Sequence, residues 1–421
     1  MSHRNLRISS PQPSTLHEPF LERAAESDAE SSSRALGAFL TMRLVDQFDQ
    51  DRNPIRPEAL AYQIRATRDY LRDLHPPTVE VNHLGELVRV ADGIRQSRAV
   101  QLLVPPLLAF AFWLEQELRV DEALDVLETG LRLCGGSLSE EAIAARLQLG
   151  RVLRLAGRLE EAGQSYTSAG QLAAEAGDTH SEFLSRIGCA VVAQRAGNLP
   201  QSESMLKKVL AESSKLEDRD AEARACHDLA NTMDLSGRTE EGIPLVFRAF
   251  ELYEQPLQKV RALHDLGVLL KTLGHYAAAE DAFTLVVQSD APPEICVNTT
   301  NELLEIAVLI GDRIAFERRR REAESKVGLS PYLLVDFELK VGVGFAAFGH
   351  PSKAEKYLSS AVEHAEEHHL NQLLFQAEAA LRQLREGGRV RAEEHKEADR
   401  PDAHPEVEAV ADRLQELRAT V

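Results

Sequence analysis

Beginning near Arg34, apolar residues recur at three- and four-residue steps, the spacing that gathers them on one face of a helix. No stretch alternates apolar and polar positions in the manner of a strand, so the expected fold class is all-α. The helical stretches are broken by glycine-centred turns: Ala156-Gly157-Arg158, Ala196-Gly197-Asn198, Ser236-Gly237-Arg238, Leu273-Gly274-His275, Ile310-Gly311-Asp312 and Phe348-Gly349-His350. Successive glycines lie 40, 40, 37, 37 and 38 residues apart. A fixed period of this size predicts a stacked array of helix–turn–helix units, because one such unit cannot bury its own apolar face without neighbours. Glycine suits the turn because it accepts a positive φ without a Cβ clash and closes the first helix in a left-handed cap. Pro200 and Pro351 follow two of the turns, where the missing N–H costs little at the start of the second helix.

The flanks read differently. Residues 1–33 are rich in Ser, Pro, Glu and His without periodicity, and are expected to form a disordered arm. Residues 34–99 carry three helical patterns, around Leu36–Leu44, after Pro57 and from about Val81 to Ile94, read as a helical N-terminal cap. Residues 100–370 hold about seven repeats, residues 371–386 a C-terminal capping helix, and residues 387–404 a charged linker. Residues 405–421 form a short helix with one apolar seam, Val407, Val410, Leu414, Leu417 and Val421. A helix this short is marginal alone, so it must dock or stay largely unfolded; docking on the chain's own repeats, or transient helicity, is favoured over a short coiled coil with a second chain.

The second unit, with Leu149, Gly150, Leu153, Gly157, Ala162, Tyr166 and Ala169, resembles a tetratricopeptide repeat. The fifth offers Gly267, Leu270, Gly274, Ala279 and Phe283, and the seventh Gly342, Phe345, Gly349, Ala354, Leu358 and Ala361. The third and fourth keep the turn glycines Gly197 and Gly237. The resemblance implies a right-handed superhelical solenoid of antiparallel helix pairs, with small residues where two helices cross. The period exceeds the family's usual ~34 residues. In the sixth unit, bulky Leu304 and Phe316 stand where small residues are expected, which predicts a splayed pair.

Composition narrows the partner rather than the fold. A formal charge of −19 lacks the basic footprint that nucleic acid or an anionic membrane requires. Cys134, Cys189, Cys226 and Cys296 sit singly within helical patterns, which reads as reduced thiols in a cytoplasmic protein. The apolar run from Ala99 to Leu114 is too short to span a bilayer, holds Pro105-Pro106, and reads as a buried helix.

The family frame places Arg151, Arg154, Arg195, Arg224, His227, Asn231, Arg261, His264, Lys271, Asn298 and Asn301 on the inner face of the first helices. Cations and amides in a groove suit an acidic peptide, bound through charge-assisted hydrogen bonds. The carboxylate clamp of chaperone-binding relatives is not reproduced, because Asp265 and Glu302 stand where Asn and Arg would be needed. His364-Ala-Glu-Glu367-His368 spells an inverted zinc-protease motif but lies at a repeat's end without a third ligand in sight. Arg318-Arg319-Arg320-Arg321 wraps a whole turn and reads as a salt-bridged helix. The expectation is therefore a non-catalytic scaffold, without cofactor or metal, that binds a protein or peptide in its groove, with a monomer favoured. The alternatives are a peptide-responsive sensor that regulates an effector, a metal-dependent hydrolase and, more remotely, a transcription regulator.

Overall fold

In a computed structural model of the chain, the structure describes residues 16–26, 28–49, 56–135, 137–324, 326, 330–387 and 404–420. They form helices and no strand, in two compact units that divide after Asn198. The first unit holds α1 (Glu18–Glu26), α2 (Ala29–Val45), α3 (Pro57–Arg72), α4 (Val79–Gly93), α5 (Val104–Gln116), α6 (Val120–Cys134), α7 (Glu140–Leu155), α8 (Leu159–Ala176) and α9 (Thr179–Arg195). The second holds α10 (Leu199–Lys215), α11 (Arg219–Leu235), α12 (Thr239–Leu252), α13 (Pro256–Thr272), α14 (Tyr276–Gln288), α15 (Pro293–Leu309), α16 (Arg313–Glu324), α17 (Pro331–Ala347), α18 (Pro351–Glu367), α19 (Asn371–Arg385) and α20 (Pro405–Ala419).

The first unit corrects the expected disordered arm. Helical order begins at Glu18, and the part of the arm spanning residues 1–15 lies outside the described residues. Phe20 of α1 is fully buried and stacks on Phe110 of α5, with ring centroids 6.4 Å apart. Asp28 then caps α2, accepting the N–H groups of Glu30 and Ser31 at 2.9 and 3.0 Å. Charged residues seal the same junction: Arg23 reaches Glu80 at 2.6 Å and Glu122 at 2.7 Å, and Arg119 bridges the same two carboxylates. His17, itself buried, lies between Asp125 at 2.6 Å and Asp46 at 3.1 Å. Burial alone would lower the His17 pKa, but the two carboxylates outweigh it and raise it above the ordinary value. Pro105 and Pro106 open α5 in its first turn, where proline is tolerated.

The repeats are held by two devices. All six turn glycines named from the sequence adopt φ between 74° and 81°. The residue after each closes the first helix, as when Arg158 N–H donates to the Leu153 carbonyl at 2.9 Å and His350 N–H to Phe345 at 2.8 Å. The α5–α6 turn has the same geometry without glycine. Leu118 takes φ 58°, 81% exposed, and Arg119 N–H donates to Leu114 at 2.9 Å.

The second device is volume compensation where the helices of a pair cross. A Cβ on Gly150 would lie 2.9 Å from the Tyr166 ring, one on Gly267 2.5 Å from Phe283, and one on Gly342 2.7 Å from Leu358. At the same register the first pair has Ala111 with Leu127, and the fourth Ala230 with Val246, all fully buried. Less volume on one helix is matched by more on the other, which keeps packing dense. Ala162, Ala279 and Ala354, early in the second helices, are likewise fully buried. The sixth pair is the exception, with Leu304 on the first helix and Arg320 at the partner register. Its Phe316 is nonetheless buried, because Gly344 of α17 leaves room: a Cβ there would sit 2.2 Å from the Phe316 ring.

At the end of the second unit, α19 lays Leu373, Ala377 and Leu381 against α17 and α18. Most of the expected linker lies outside the described residues. Beyond it, α20 docks on the chain's own second helices, α12 and α14, burying Val407, Val410 and Leu414, while Arg418 pairs with Asp281.

Candidate functional site

The first helices of the second unit present one polar face, and its side chains are shared from each repeat to the next. His227 of α11 bonds Asp265 of α13 through Nε2 at 2.8 Å, with the Tyr253 hydroxyl 3.4 Å from Nδ1. Burial would lower the His227 pKa, but Asp265 outweighs it and the pKa is raised. His264 stands in an almost identical sequence one repeat later and has the opposite character. The carboxylate it would need, Glu302, is held by Lys271 and Lys340. His264 therefore bonds the Thr299 hydroxyl at 2.9 Å and the Asn298 amide at 3.2 Å, and burial lowers its pKa. Duplicated sequence has not produced duplicated chemistry.

Between α13 and α19 the face deepens into a cavity of about 610 Å³. At one side lies a cluster in which Lys271 contacts Glu302 and Glu305, the latter at 2.6 Å. Lys340 reaches Glu302 at 2.7 Å, Asp336 at 3.2 Å and Glu305 at 3.5 Å. Burial would push the Glu302 carboxyl up, yet the two ammoniums hold it at about 2. Burial likewise opposes the charge on Lys340, but Asp336, Glu302 and Glu305 raise its pKa well above the ordinary value. Asp336 goes the other way: burial, with Glu302 nearby, raises its carboxyl despite Lys340. Opposite stands α19, contributing Gln372, Gln376, Gln383 and Ala379, with Tyr332, Leu339 and Val343 of α17 between.

The first helix of each pair lines this face, the second helix backs it, and a left-handed glycine turn and a compensated crossing join the two. These are tetratricopeptide-like repeats. No family model matches the chain, and no curated protein sequence matches it. Among solved structures, a signal transduction ATPase with a tetratricopeptide repeat sensor from Pyrococcus horikoshii is similar at 13% identity and a TM-score of 0.48, over 90% of this chain and 68% of that one. A Rap protein complexed with Competence and Sporulation Factor is similar at 12% identity and a TM-score of 0.43, over 85% and 98%. A tetratricopeptide repeat protein from Parabacteroides merdae is similar at 14% identity and 0.41, over 65% and 98%.

The tetratricopeptide frame places the expected groove residues unevenly. Arg151, Arg154 and Arg195 belong to the first unit and the rest to the second. Arg151 is held by Glu115 at 2.6 Å and lies over the Phe112 ring, the buried Arg154 Nε has no partner, and Arg195 is exposed. In the second unit Arg224 is paired with Asp220 at 2.7 Å, whereas Arg261 is exposed and Asn231 half-buried. Asn301 departs from expectation, being fully buried, its amide donating to Asp336 at 2.9 Å. Three of the expected groove cations, Arg151, Arg224 and Lys271, are thus paired with carboxylates of the chain itself.

Glu302, Glu305, Asp336 and Lys340 were not among the expected groove residues. One sequence signal marks two of them, Glu302 and Lys340: with Asp228 and Asp265, each stands nine positions before a turn glycine, a charged column along consecutive repeats. His364 of the zinc-protease-like string is engaged by Glu338 at 2.8 Å, and among the described residues no three His, Cys, Asp or Glu side chains are grouped so as to hold a metal ion. The arginine run is salt-bridged as expected, Arg319 to Glu322 at 3.0 Å and Arg320 to Glu317 at 3.2 Å and Glu324 at 2.9 Å. Among the described residues no helix is long and apolar enough to cross a membrane.

Proposed function

We propose that the chain is a non-catalytic interaction module whose second unit captures a peptide or protein segment on the face of its first helices. The observation that carries this reading is the cavity of about 610 Å³ between α13, α15, α17 and α19. It has the size of a ligand site, and it joins apolar wall to a few fixed polar groups. The glutamine amides of α19 can donate to and accept from a peptide backbone, and Leu339 and Val343 offer apolar surface to a side chain. The docked α20 covers the opposite helices, α12 and α14, and leaves this face open.

The test is selection of random short peptides on the immobilised full chain, run beside Ala379→Trp. Ala379 is exposed on α19 and lines the cavity, so tryptophan there fills space without disturbing the buried face of the helix. Peptides enriched by the parent and not by the folded variant support the site. Enrichment that survives Ala379→Trp, or none by the parent, overturns it.

A further inference from the structure

The ligand class can be read from the hydrogen-bond accounting of the charge cluster, taking the cavity as the binding site proposed above. Two ammoniums, Lys271 and Lys340, face three carboxylates, Glu302, Glu305 and Asp336. The donors are mostly engaged. Lys340 meets all three carboxylates, and Lys271 meets two, which leaves Lys271 one N–H. Both oxygens of Glu302 and both of Asp336 are engaged, the latter by Lys340 and the Asn301 amide. Glu305 differs, because both ammonium contacts fall on Oε2 and leave Oε1 to a newcomer. Beside the cluster, the carbonyl oxygen of Asn301 is buried with no donor among the described residues. Its orientation is fixed, since the amide nitrogen donates to both Asp336 and the Leu333 carbonyl.

This corner holds more open acceptors than open donors. A carboxylate entering it would find Lys340 saturated, one N–H on Lys271, and three carboxylates already facing two ammoniums, so the acidic partner expected from the inner-face cations is disfavoured. We propose that the cavity selects a ligand presenting a positively charged hydrogen-bond donor to Glu305, either a lysine or arginine side chain or a free peptide N-terminus. The rest of the cavity suits such a group. Leu339 and Val343 offer apolar surface to an aliphatic stem, and the half-exposed Tyr332 ring can face a cation.

Four synthetic peptide pools separate the possibilities on the full chain: N-acetylated neutral, N-acetylated acidic, N-acetylated with one lysine or arginine, and neutral with a free N-terminus. Retention of the third or fourth pool above the first two supports the proposal and tells side chain from terminus. Glu305→Gln, which keeps the side chain's shape but removes its charge, should lower that retention about tenfold or more, as expected for one lost charge-assisted hydrogen bond. Equal or stronger retention of the neutral or acidic pool, lost in Ala379→Trp, overturns the ligand class while the binding site stands. Retention of no pool overturns both. Retention of a basic pool that is unchanged in folded Glu305→Gln overturns the role given to Glu305.

Discussion

Replacing Gly267 by alanine tests the compensation rule at its tightest point. The added Cβ would lie 2.5, 2.7 and 2.8 Å from three atoms of the Phe283 ring, where carbon contacts ordinarily begin near 3.4 Å. The ring must therefore retreat by most of an ångström, and it is fully buried with no solvent to move into. Overpacking of this kind costs about 1–3 kcal/mol. So close an approach belongs in the upper part of that range, and alanine is worth about 1 kcal/mol more than glycine within a helix, so the net loss should be about 1–2 kcal/mol. The rule makes a sharper claim about Gly267→Ala combined with Phe283→Leu, which recreates the Ala–Leu pair found at Ala111 and Leu127. Each single variant should destabilise, one by crowding and the other by a void. The double variant should recover at least about 1 kcal/mol of the summed loss, well beyond the ~0.5 kcal/mol scatter of independent sites. Denaturant unfolding followed by circular dichroism measures all three, and Gly85→Ala, exposed on α4 with nothing within 4 Å of the new Cβ, is the control that should stabilise. Additive losses in the double variant would refute the compensation argument.

Two further outcomes concern the first unit. Leu118→Gly should stabilise it by about 0.5–1 kcal/mol, because a left-handed leucine is strained and its exposed side chain gives up little packing; an unchanged or lower unfolding midpoint would contradict this. His17 has a folded pKa above 6.5, so its contribution is full below about pH 6.5 and is lost as pH rises through the raised folded value. The groups facing it are Asp46 and Asp125, with Arg132 on Asp46 at 3.2 Å, and His17→Gln should flatten the unfolding midpoint across that window.

The repeat register was legible because a left-handed turn leaves few alternatives to glycine, and a crossing leaves few to a small residue. Where the backbone was left-handed without glycine, at Leu118, the signal vanished although the turn did not. The N-terminal helix was hidden for a related reason. Serine, glutamate and proline dominate residues 1–33, and the single ring that anchors α1, Phe20, makes no period by itself. The groove failed differently. Reading Lys271 or His227 along its own helix finds an exposed cation, whereas its carboxylate lies on the next first helix, 31 to 38 positions away. The cations are visible in the sequence but their partners are not, and on this face the partners decide the charge.

The docking of α20 also changes how the second unit can come apart. Elsewhere along this array contacts join neighbours, and such a chain can fray from its end one repeat at a time, each step releasing its share of chain entropy. Arg418 meets Asp281 across 137 positions, so α15 to α19 are enclosed in a loop whose closure is already in place. Peeling α19 and α18 while α20 stays seated frees a segment tethered at both ends, and the entropy gained is smaller than for a free tail. Contacts of such sequence separation also form late in folding, after the local helix pairs exist to receive them. The docked α20 is thus a clasp over α12 and α14, and a chain of local repeats acquires a long-range contact that its repeats alone do not require.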